Sequence, residues 1–208
     1  MTIRVGLIAD THCPEFLERL PEAVFERLAG VDRILHAGDV GGPGDTLQRL
    51  GRIAPVDAVR GDHDRGLPQL PAVLETEIAG RRVVVVHGNR SRLIEEPLTL
   101  FGTLMFGLWW PHPGLHRSLR RRFPRADVIV YGHTHAASIT HFDGCLLVNP
   151  GAVYHVTREA ADDRLRRHPG WFEWTWLQVI RIGRRGRPAS VGTLEFTDTA
   201  VVPAILPL

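Results

Sequence analysis

Seven aspartates and histidines of this chain stand in short motifs, and a glycine lies beside four of them. They are Asp10, His12, Asp39, Asp62, His87, His133 and His135. Carboxylate oxygens and neutral imidazole nitrogens together suit manganese, iron, zinc and similar divalent ions. Seven ligands are too many for one tetrahedral zinc ion, whereas they suit two ions that share a bridging carboxylate. The residue types therefore predict a dinuclear metal centre.

Taken singly, these motifs are weak evidence. Asp-x-His at residues 10–12 and Gly-Asp at residues 38–39 are patterns that arise by chance in many chains. Gly-His-x-His at residues 132–135 is more specific, because alternate residues bring two imidazoles to the same face only where the backbone is extended. The complete series, with each motif at the end of a predicted strand, is specific enough to predict the site.

The segments that precede the motifs are short and apolar, as is typical of buried parallel strands. They run over residues 3–9, 33–37, 56–59, 82–86 and 127–131. Helical segments at residues 21–28 and 46–50 separate the first three strands, and this β-α-β-α-β order implies a parallel sheet with right-handed crossovers. Because ligands of open α/β sheets bind beyond the carboxyl ends of the strands, we expect the motifs to meet at one sheet edge.

Further strands are predicted in hairpins and in the tail. Residues 73–78 pair with 82–86 across Ala79-Gly80, and residues 138–142 pair with 145–148 across Asp143-Gly144. The tail is predicted to form two strands, residues 173–182 and 191–196, joined by a turn rich in glycine and arginine.

The length of 208 residues suits a single domain over residues 1–208. Two segments are interpreted as insertions on it: residues 97–124, which are aromatic and then basic, and residues 158–170, which are charged and helical. The aromatic part, residues 101–110, is interpreted as core, as a lid or as a contact between copies. The last two are favoured, and the contact between copies would make the protein a homo-oligomer through residues 97–124.

Composition bears on the location and on the partners expected for the protein. The formal net charge of +2 argues neither for nor against an anionic partner. Two cysteines, Cys13 and Cys145, cannot define a disulfide framework, which favours a reducing, cytoplasmic location. The longest apolar run, residues 98–110, is well short of the ~20 residues that span a bilayer, so no membrane partner is expected.

The ordered motif series resembles that of the calcineurin-like metallophosphoesterase superfamily. The resemblance covers residues 3–151, and the short length together with Asn149-Pro150-Gly151 is most similar to the small bacterial and archaeal phosphodiesterase branch. It implies an α/β fold, a four-layer α/β/β/α sandwich of two mixed β-sheets flanked by helices, with the site at one sheet edge. It also implies hydrolysis of a phosphate ester.

Carried onto this sequence residue by residue, the resemblance divides the seven ligands between two ions. The first ion takes Asp10, His12 and His135, and the second takes Asp62, His87 and His133. Asp39 would bridge both ions. Two cations ~3.5–4 Å apart lower the pKa of a shared water, so that hydroxide exists near neutral pH, and they hold the phosphoryl oxygens for in-line attack. Manganese is the expected metal, and iron, zinc, nickel and cobalt suit the same ligands.

Asp62 departs from the family pattern, which usually has asparagine at this position. Aspartate adds one negative charge, so two divalent ions, three carboxylates and a hydroxide sum to zero, whereas asparagine would leave one positive charge. The charge count leads to a hypothesis of tighter metal retention and of a preference for monoanionic phosphodiesters over dianionic phosphomonoesters.

Three polar neighbours complete the predicted site. His63 is expected to act as a general acid on the leaving oxygen or to contact the phosphate, with an ordinary exposed loop histidine as the alternative. Asp64 is interpreted as a turn carboxylate or one that orients a ligand histidine. Asn149 lies in a Pro-Gly turn and is interpreted as structural or as a hydrogen-bond partner of a ligand histidine.

The other notable side chains are given ordinary structural roles. His36 lies inside a strand and is predicted to be a hydrogen-bonded core residue. The remaining histidines are predicted to be surface or loop residues: His112, His116, His141, His155 and His168. The tryptophans at 171, 174 and 176 are predicted to pack on one face of a strand, and Cys13 is predicted to be inert.

The predicted function is hydrolysis of a small phosphate ester, with phosphodiesters preferred and phosphomonoesters also within reach. Two alternatives stay open: a non-catalytic protein-interaction scaffold on the same fold, and a nuclease. Four histidines at strand ends argue against the scaffold, which needs none. Nucleic acid is not the expected partner, because the basic stretches at residues 117–125 and 181–187 are short. Steep salt dependence of polynucleotide binding would favour the nuclease.

Overall fold

Two five-stranded β-sheets form the centre of the fold. The computed structural model describes residues 2–14, 17–42, 44–89, 97, 101, 114–154, 158–167, 169–171, 174, 177, 178, 181 and 188–208, with backbone alone for residues 158–160. The elements in chain order are β1 (Ile3–Ile8), α1 (Glu22–Arg27), β2 (Arg33–His36), α2 (Thr46–Leu50), β3 (Val56–Ala58), β4 (Val73–Ile78), β5 (Arg81–Val86), α3 (Leu115–Arg122), β6 (Val128–Tyr131), β7 (Ser138–Phe142), β8 (Cys145–Asn149), α4 (Arg158–Leu165), β9 (Ser190–Phe196) and β10 (Val201–Pro207).

Both sheets are mixed, with parallel strands in the middle. The first sheet has the order β10-β9-β1-β2-β3, in which β1, β2 and β3 are parallel. Strand β9 pairs antiparallel with β1, and β10 pairs antiparallel with β9. The second sheet has the order β4-β5-β6-β8-β7, in which β5, β6 and β8 are parallel. The parallel strands bring the ends of β1, β2 and β3 to one edge of the first sheet, and the ends of β5 and β6 to one edge of the second.

Side-chain alternation along the strands builds three apolar layers. The inner layer packs the sheets against each other through Val5, Leu7, Leu35, Val83, Val85, Val130, Val148 and Phe196. One outer layer packs Ile8 and Ile34 against Val24 and Leu28 around α1. The other packs Ile129 and Leu147 against Leu115 and Leu119 of α3. The predicted four-layer α/β/β/α sandwich is therefore confirmed.

The predicted strands and helices of residues 3–148 lie within two residues of the observed ones. Both predicted hairpin turns carry left-handed backbone, with φ of 49° at Ala79 and at Asp143 and of 72° at Gly80 and at Gly144. Two consecutive positive φ values are typical of a type I′ turn, whose twist matches that of the flanking strands.

The predicted strand over residues 173–182 is wrong where the structure describes it. Trp174, Leu177, Gln178 and Arg181 are helical, and the Trp174 N–H donates to the Gly170 carbonyl over 2.8 Å. Six of the ten residues in this segment are apolar, and short apolar runs of this kind do not distinguish a strand from a helix by periodicity. Trp171 and Trp174 are 67% and 50% exposed, so the prediction that they pack is also wrong, and Trp176 lies outside the described residues.

Strand β9 pairs instead with β10, which the sequence did not predict. Pro203 and Pro207 interrupt the pattern of a strand, because proline donates no backbone hydrogen bond. An edge strand tolerates this loss, and β10 is the edge strand of its sheet.

The chain divides into two compact units. One consists of residues 1–88, 114–154 and 188–208, and the other of residues 89–113 and 155–187. Helix α3, within the first predicted insertion, belongs to the larger unit. In the smaller unit Arg181 pairs with Asp162 over 2.7 Å. Residues 102–113 lie outside the described residues, so the homo-oligomer through residues 97–124 stays a prediction.

The longest described helices, α3 and α4, have eight residues each. In the part of the chain that the structure describes, no helix is long and apolar enough to cross a membrane.

Candidate metal centre

The predicted ligands lie together beyond the carboxyl ends of parallel strands from both sheets. The first sheet supplies Asp10 and His12 after β1, Asp39 after β2 and Asp62 after β3. The second sheet supplies His87 after β5, and His133 and His135 after β6. The site is therefore built where the two sheets meet, and neither sheet can form it alone.

Hydrogen bonds between the sheets fix the positions of the ligands. The backbone N–H of His133 donates to Asp10 Oδ1 over 3.1 Å, and the His87 Nδ1 atom lies 2.9 Å from the carbonyl oxygen of Ala37. Within the second sheet, the Gly132 N–H donates to the His87 carbonyl over 3.0 Å. Each sheet thus orients ligands that belong to the other.

The first half-site consists of Asp10, His12, Asp39 and His135. One ligand atom of each lies within 4.8 Å of the others. The His12 Nε2 atom is 3.4 Å from Asp39 Oδ2, and the His135 Nε2 atom is 3.6 Å from Asp10 Oδ1. Ligands ~2.1 Å from one ion are roughly 3–3.5 Å from each other, so these separations suit a shared cation.

The second half-site consists of Asp62, His87 and His133, with ligand atoms again within 4.8 Å of one another. The Asp62 Oδ1 atom is 2.9 Å from His87 Nε2 and 3.5 Å from His133 Nδ1. The Asp62 side chain is 43% exposed, whereas the His87 side chain is buried. The second half-site is thus the one that opens to solvent through its carboxylate.

Asp39 joins the two half-sites through a single oxygen. Its Oδ2 atom lies 3.4 Å from His12 Nε2 in the first half-site and 3.3 Å from His87 Nε2 in the second. Its Oδ1 atom accepts the backbone N–H of His63 over 3.0 Å. One oxygen of Asp39 is thus fixed by the backbone, and the other is directed at both half-sites.

The donor set fits a cation. Because the Ala37 carbonyl only accepts hydrogen bonds, the Nδ1 atom of His87 carries a proton, and in the neutral ring the lone pair of Nε2 would face Asp39 and Asp62. A lone pair facing two carboxylates is repulsive unless a cation or a proton lies between them. The fully buried Asp10 Oδ2 also has no hydrogen-bond partner among the described residues, a costly arrangement that a cation relieves.

The pKa values of the cluster follow from burial and mutual charge. Burial raises the pKa of Asp10 to about 7 and lowers the pKa of His135 to about 3. Burial also acts against the charged forms of Asp39, Asp62 and His87, but hydrogen bonds and charge attraction between the carboxylates and the neighbouring histidines outweigh it. These contacts lower the pKa of Asp39 to about 2 and that of Asp62 below its usual range, and they raise the pKa of His87. Protons and cations therefore compete for these groups.

The backbone of the site is strained. Five of the seven predicted ligands have left-handed φ values: Asp10 at 50°, His12 at 44°, Asp39 at 54°, His133 at 67° and His135 at 52°. Ala79 and Asp143, in the hairpin turns, are the other non-glycine residues with positive φ in the described part of the chain. Such conformations cost of order 1–3 kcal/mol each and persist where the surroundings enforce them, commonly at functional sites.

Two glycines allow the close approach of backbone to ligand. A Cβ atom on Gly38, where φ is +89°, would lie 2.7 Å from His87 Nδ1, and one on Gly61 would overlap the carboxylate of Asp39. The glycines that precede Asp39 and Asp62 in the sequence are therefore steric requirements of the site.

Asp64 and Asn149 hold the loops that carry the ligands. The Asp64 carboxylate accepts the backbone N–H groups of Gly41 over 3.0 Å and Gly61 over 2.8 Å. The Asn149 Nδ2 atom donates to the Gly132 carbonyl over 2.9 Å and to the Thr134 hydroxyl over 3.0 Å. The described contacts of both residues are thus to loops rather than to a ligand imidazole.

Two aromatic side chains flank the ring of His12. The exposed His63 stands edge-on to it with ring centroids 4.9 Å apart, and the buried Tyr154 stands edge-on with centroids 5.7 Å apart. The side chain of His63 also falls in a group with Asp39 and Asp62 whose ligand atoms lie within 4.8 Å of one another. His63 is therefore close to both half-sites and reaches solvent.

Two neighbours of the site were not predicted from the sequence. The buried Thr11 hydroxyl donates to the Val40 carbonyl over 2.9 Å and lies 3.1 Å from His36 Nε2. Tyr154 Oη lies 3.0 Å from His135 Nδ1. Thr11 stands inside the first motif and could have been considered, whereas nothing in the local sequence marks Tyr154.

Histidines outside the cluster differ in their surroundings. His36 is a buried core residue with hydrogen bonds to Thr11 and to the Gly38 N–H, as predicted, and burial lowers its pKa to about 4. His116 is half-buried and lies 2.9 Å from Tyr131 Oη, so its prediction as a surface or loop residue is wrong. His141 is exposed. His112, His155 and His168 lie outside the described residues.

Both cysteines are buried and free. Burial raises the pKa of Cys13, and likewise that of Cys145, to about 11. Neither thiol is therefore ionised near neutral pH, in line with the prediction that Cys13 is inert.

One solved structure shows the same fold over almost the whole chain. The structure of wild-type Vps29 from Entamoeba histolytica complexed with zinc has a TM-score of 0.63 and covers 99% of this chain and 99% of its own. The sequence identity is 18%, so this likeness concerns the fold alone.

Sequence comparisons identify the family. The calcineurin-like phosphoesterase superfamily domain matches residues 3–163. A protein of Methanothermobacter thermautotrophicus named "Probable metallophosphoesterase" is 36% identical over 151 residues, which cover 71% of this chain and 76% of the relative. A similarly named protein of Methanocaldococcus jannaschii is 33% identical over 153 residues, 73% of this chain and 68% of the relative. The chain therefore belongs to the calcineurin-like phosphoesterase superfamily.

Proposed function

We propose that this protein is a dinuclear metal-dependent phosphoesterase that hydrolyses phosphodiesters in preference to phosphomonoesters. The observation that carries the proposal is the position of Asp39 Oδ2, 3.4 Å from a histidine of one half-site and 3.3 Å from a histidine of the other. Asp10, His12 and His135 would hold one cation with Asp39, and Asp62, His87 and His133 would hold the second with it. Manganese is the expected metal, with iron, zinc, nickel and cobalt as alternatives.

Hydrolysis of a phosphate ester would need both the bound cations and the side chains around them. Two bound divalent ions would lower the pKa of a shared water and neutralise charge on the phosphoryl oxygens. Buried Asp10 and Asp39 would hold negative charge beside the cations, and the Asp62 carboxylate marks the face that opens to solvent. A phosphate ester would enter from that face.

His63 is proposed to protonate the leaving oxygen. Its backbone is fixed by the hydrogen bond from its N–H to Asp39 Oδ1, while its ring is exposed beside His12. A general acid must lie within reach of the leaving group, and an exposed ring close to both half-sites satisfies this condition.

Asp62 is proposed to favour phosphodiesters. Its exposed carboxylate adds a third negative charge to those of Asp10 and Asp39, and its low pKa keeps it ionised at neutral pH. Two divalent cations and a hydroxide would then leave the cluster neutral, which weakens its attraction for a second negative charge on the substrate.

Removal of metal is expected to abolish turnover. With manganese added, the protein should hydrolyse bis(p-nitrophenyl) phosphate, and chelator should stop the reaction. His135→Ala removes a ligand of the first half-site, and the rate should fall by at least about 100-fold, the upper range for residues that merely support a ligand. Release of p-nitrophenolate measures both effects.

His141→Ala is the matched control, because His141 is exposed on β7 and is not among the predicted ligands. It should keep the wild-type rate. A protein that retains no metal and stays inert after manganese addition would contradict the proposed function and would leave the protein-interaction scaffold as the better account.

Substitution of His63 should affect poor leaving groups more than good ones. His63→Ala is expected to slow a diester with an alkyl leaving group by ~100-fold or more, the range of general acid catalysis. The rate with a p-nitrophenyl leaving group should change by less than about tenfold, because nitrophenolate leaves without a proton. The measurement is kcat for both esters; equal losses for the two would rule out the acid role.

Asp62→Asn should shift selectivity toward phosphomonoesters. One unit charge ~5 Å away is worth roughly 3 kcal/mol at an effective dielectric constant of ~20. Because screening at this exposed carboxylate reduces that energy, the monoester-to-diester ratio of kcat/KM should rise on the order of tenfold. Metal retention during dialysis should weaken. Asp143→Asn, in an exposed turn, makes the same change in net charge away from the site and should alter neither quantity. An unchanged ratio and unchanged metal content in Asp62→Asn would refute the charge argument.

A further inference from the structure

Tyr154 contacts the ring nitrogen of His135 that faces away from the metal ligands. Its Oη atom is 3.0 Å from His135 Nδ1, while the Nε2 atom of the same ring is 3.6 Å from Asp10 Oδ1. Tyr154 is 8% exposed, and its ring also packs edge-on against His135 with centroids 5.6 Å apart. The phenol therefore lies behind one ligand of the first half-site.

The chain segment that carries Tyr154 is held in place by β9. The Ser190 hydroxyl donates to the Pro150 carbonyl over 2.6 Å, and the Ser190 N–H donates to the Ala152 carbonyl over 2.9 Å. Gly151 has a φ of +83° between these two contacts. The position of the phenol is thus set by the end of β8 and by a strand from the last part of the chain.

The two half-sites differ in what supports their histidines. In the second half-site the outer nitrogen of His87 faces a backbone carbonyl, which only accepts and so allows one neutral tautomer. In the first, the outer nitrogen of His135 faces a hydroxyl, which can both donate and accept. When Nε2 binds a cation, Nδ1 carries the proton, and the hydroxyl oxygen becomes its acceptor.

We propose that Tyr154 is a positioning residue of the first half-site, whose hydroxyl accepts the Nδ1 proton of His135 and so holds Nε2 toward the cation. The inference rests on the proposed metal-dependent function. Partners of this kind typically change metal affinity by 10- to 100-fold when removed. Because the Tyr154 hydroxyl contacts a histidine of the first half-site, its loss should weaken one cation and spare the other.

Metal titration of two phenol-to-phenyl variants tests the proposal. Tyr154→Phe removes the oxygen behind His135, whereas Tyr131→Phe removes an oxygen bonded to His116 and Ser138, neither of them a predicted ligand. Manganese is titrated calorimetrically into the full chain after chelator treatment. We expect two sites in the wild type, one of them weakened ~10- to 100-fold in Tyr154→Phe, and wild-type affinities in Tyr131→Phe.

A double-mutant cycle assigns the weakened site. In a His135→Ala background, Tyr154→Phe should cause no further loss of affinity, because the ring that it positions is gone. In a His133→Ala background, which impairs the second half-site, the remaining manganese should still bind ~10- to 100-fold more weakly when Tyr154 is changed.

The tautomer of His135 is a readout that a purely structural role of Tyr154 would not change. Long-range ¹H–¹⁵N spectra of the zinc-loaded wild type should show His135 bound through Nε2, with a proton on Nδ1 that exchanges slowly with solvent. In Tyr154→Phe that proton should exchange faster. The wild-type spectrum alone is informative even if the variant fails to fold.

Three results would overturn the proposal. Tyr154→Phe could bind both manganese ions as tightly as the wild type, it could lose affinity equally at both sites, or the wild-type spectrum could show coordination through Nδ1. A wild-type protein that binds no manganese would instead refute the proposed function itself, and this inference with it.

Discussion

The carboxylate of Asp39 is almost completely buried, and histidines from both sheets face one of its oxygens. A buried negative charge is costly unless positive charge and hydrogen bonds compensate for it. The backbone N–H of His63 supplies one such bond, and the proposed cations would supply the charge. The need to compensate the buried charge of Asp39 explains the other features of the site, because each neighbouring predicted ligand has to lie close to the Asp39 carboxylate.

Local strain is the physical consequence of that convergence. Left-handed backbone at five of the predicted ligands turns their side chains inward at the ends of the strands, and Gly38 and Gly61 leave room for His87 and Asp39. Hydrogen bonds between the sheets, such as that from the His133 N–H to Asp10, hold these conformations. The apolar layer between the sheets supports the same arrangement, since it sets the distance across which the ligands of both sheets meet.

The centre of the fold and the ligand cluster could be predicted from the sequence because parallel topology forces the strand ends to one edge. The support around the cluster could not. The contact of Tyr154 with His135 depends on how the chain returns after β8, and no local pattern encodes that path. A strand was predicted around Trp174 because the mixture of apolar and polar residues there has no clear period. Strand β10 was not predicted because Pro203 interrupts the pattern of a strand.

Anomalous diffraction from crystals grown with manganese tests the central claim most directly, because it locates cations independently of activity. Two peaks ~3.5–4 Å apart, with Asp39 Oδ2 between them, are the result that two ions sharing this carboxylate predict. The first peak should lie against Asp10, His12 and His135, and the second against Asp62, His87 and His133. A single peak, or none at the cluster, would contradict a dinuclear centre bridged by Asp39.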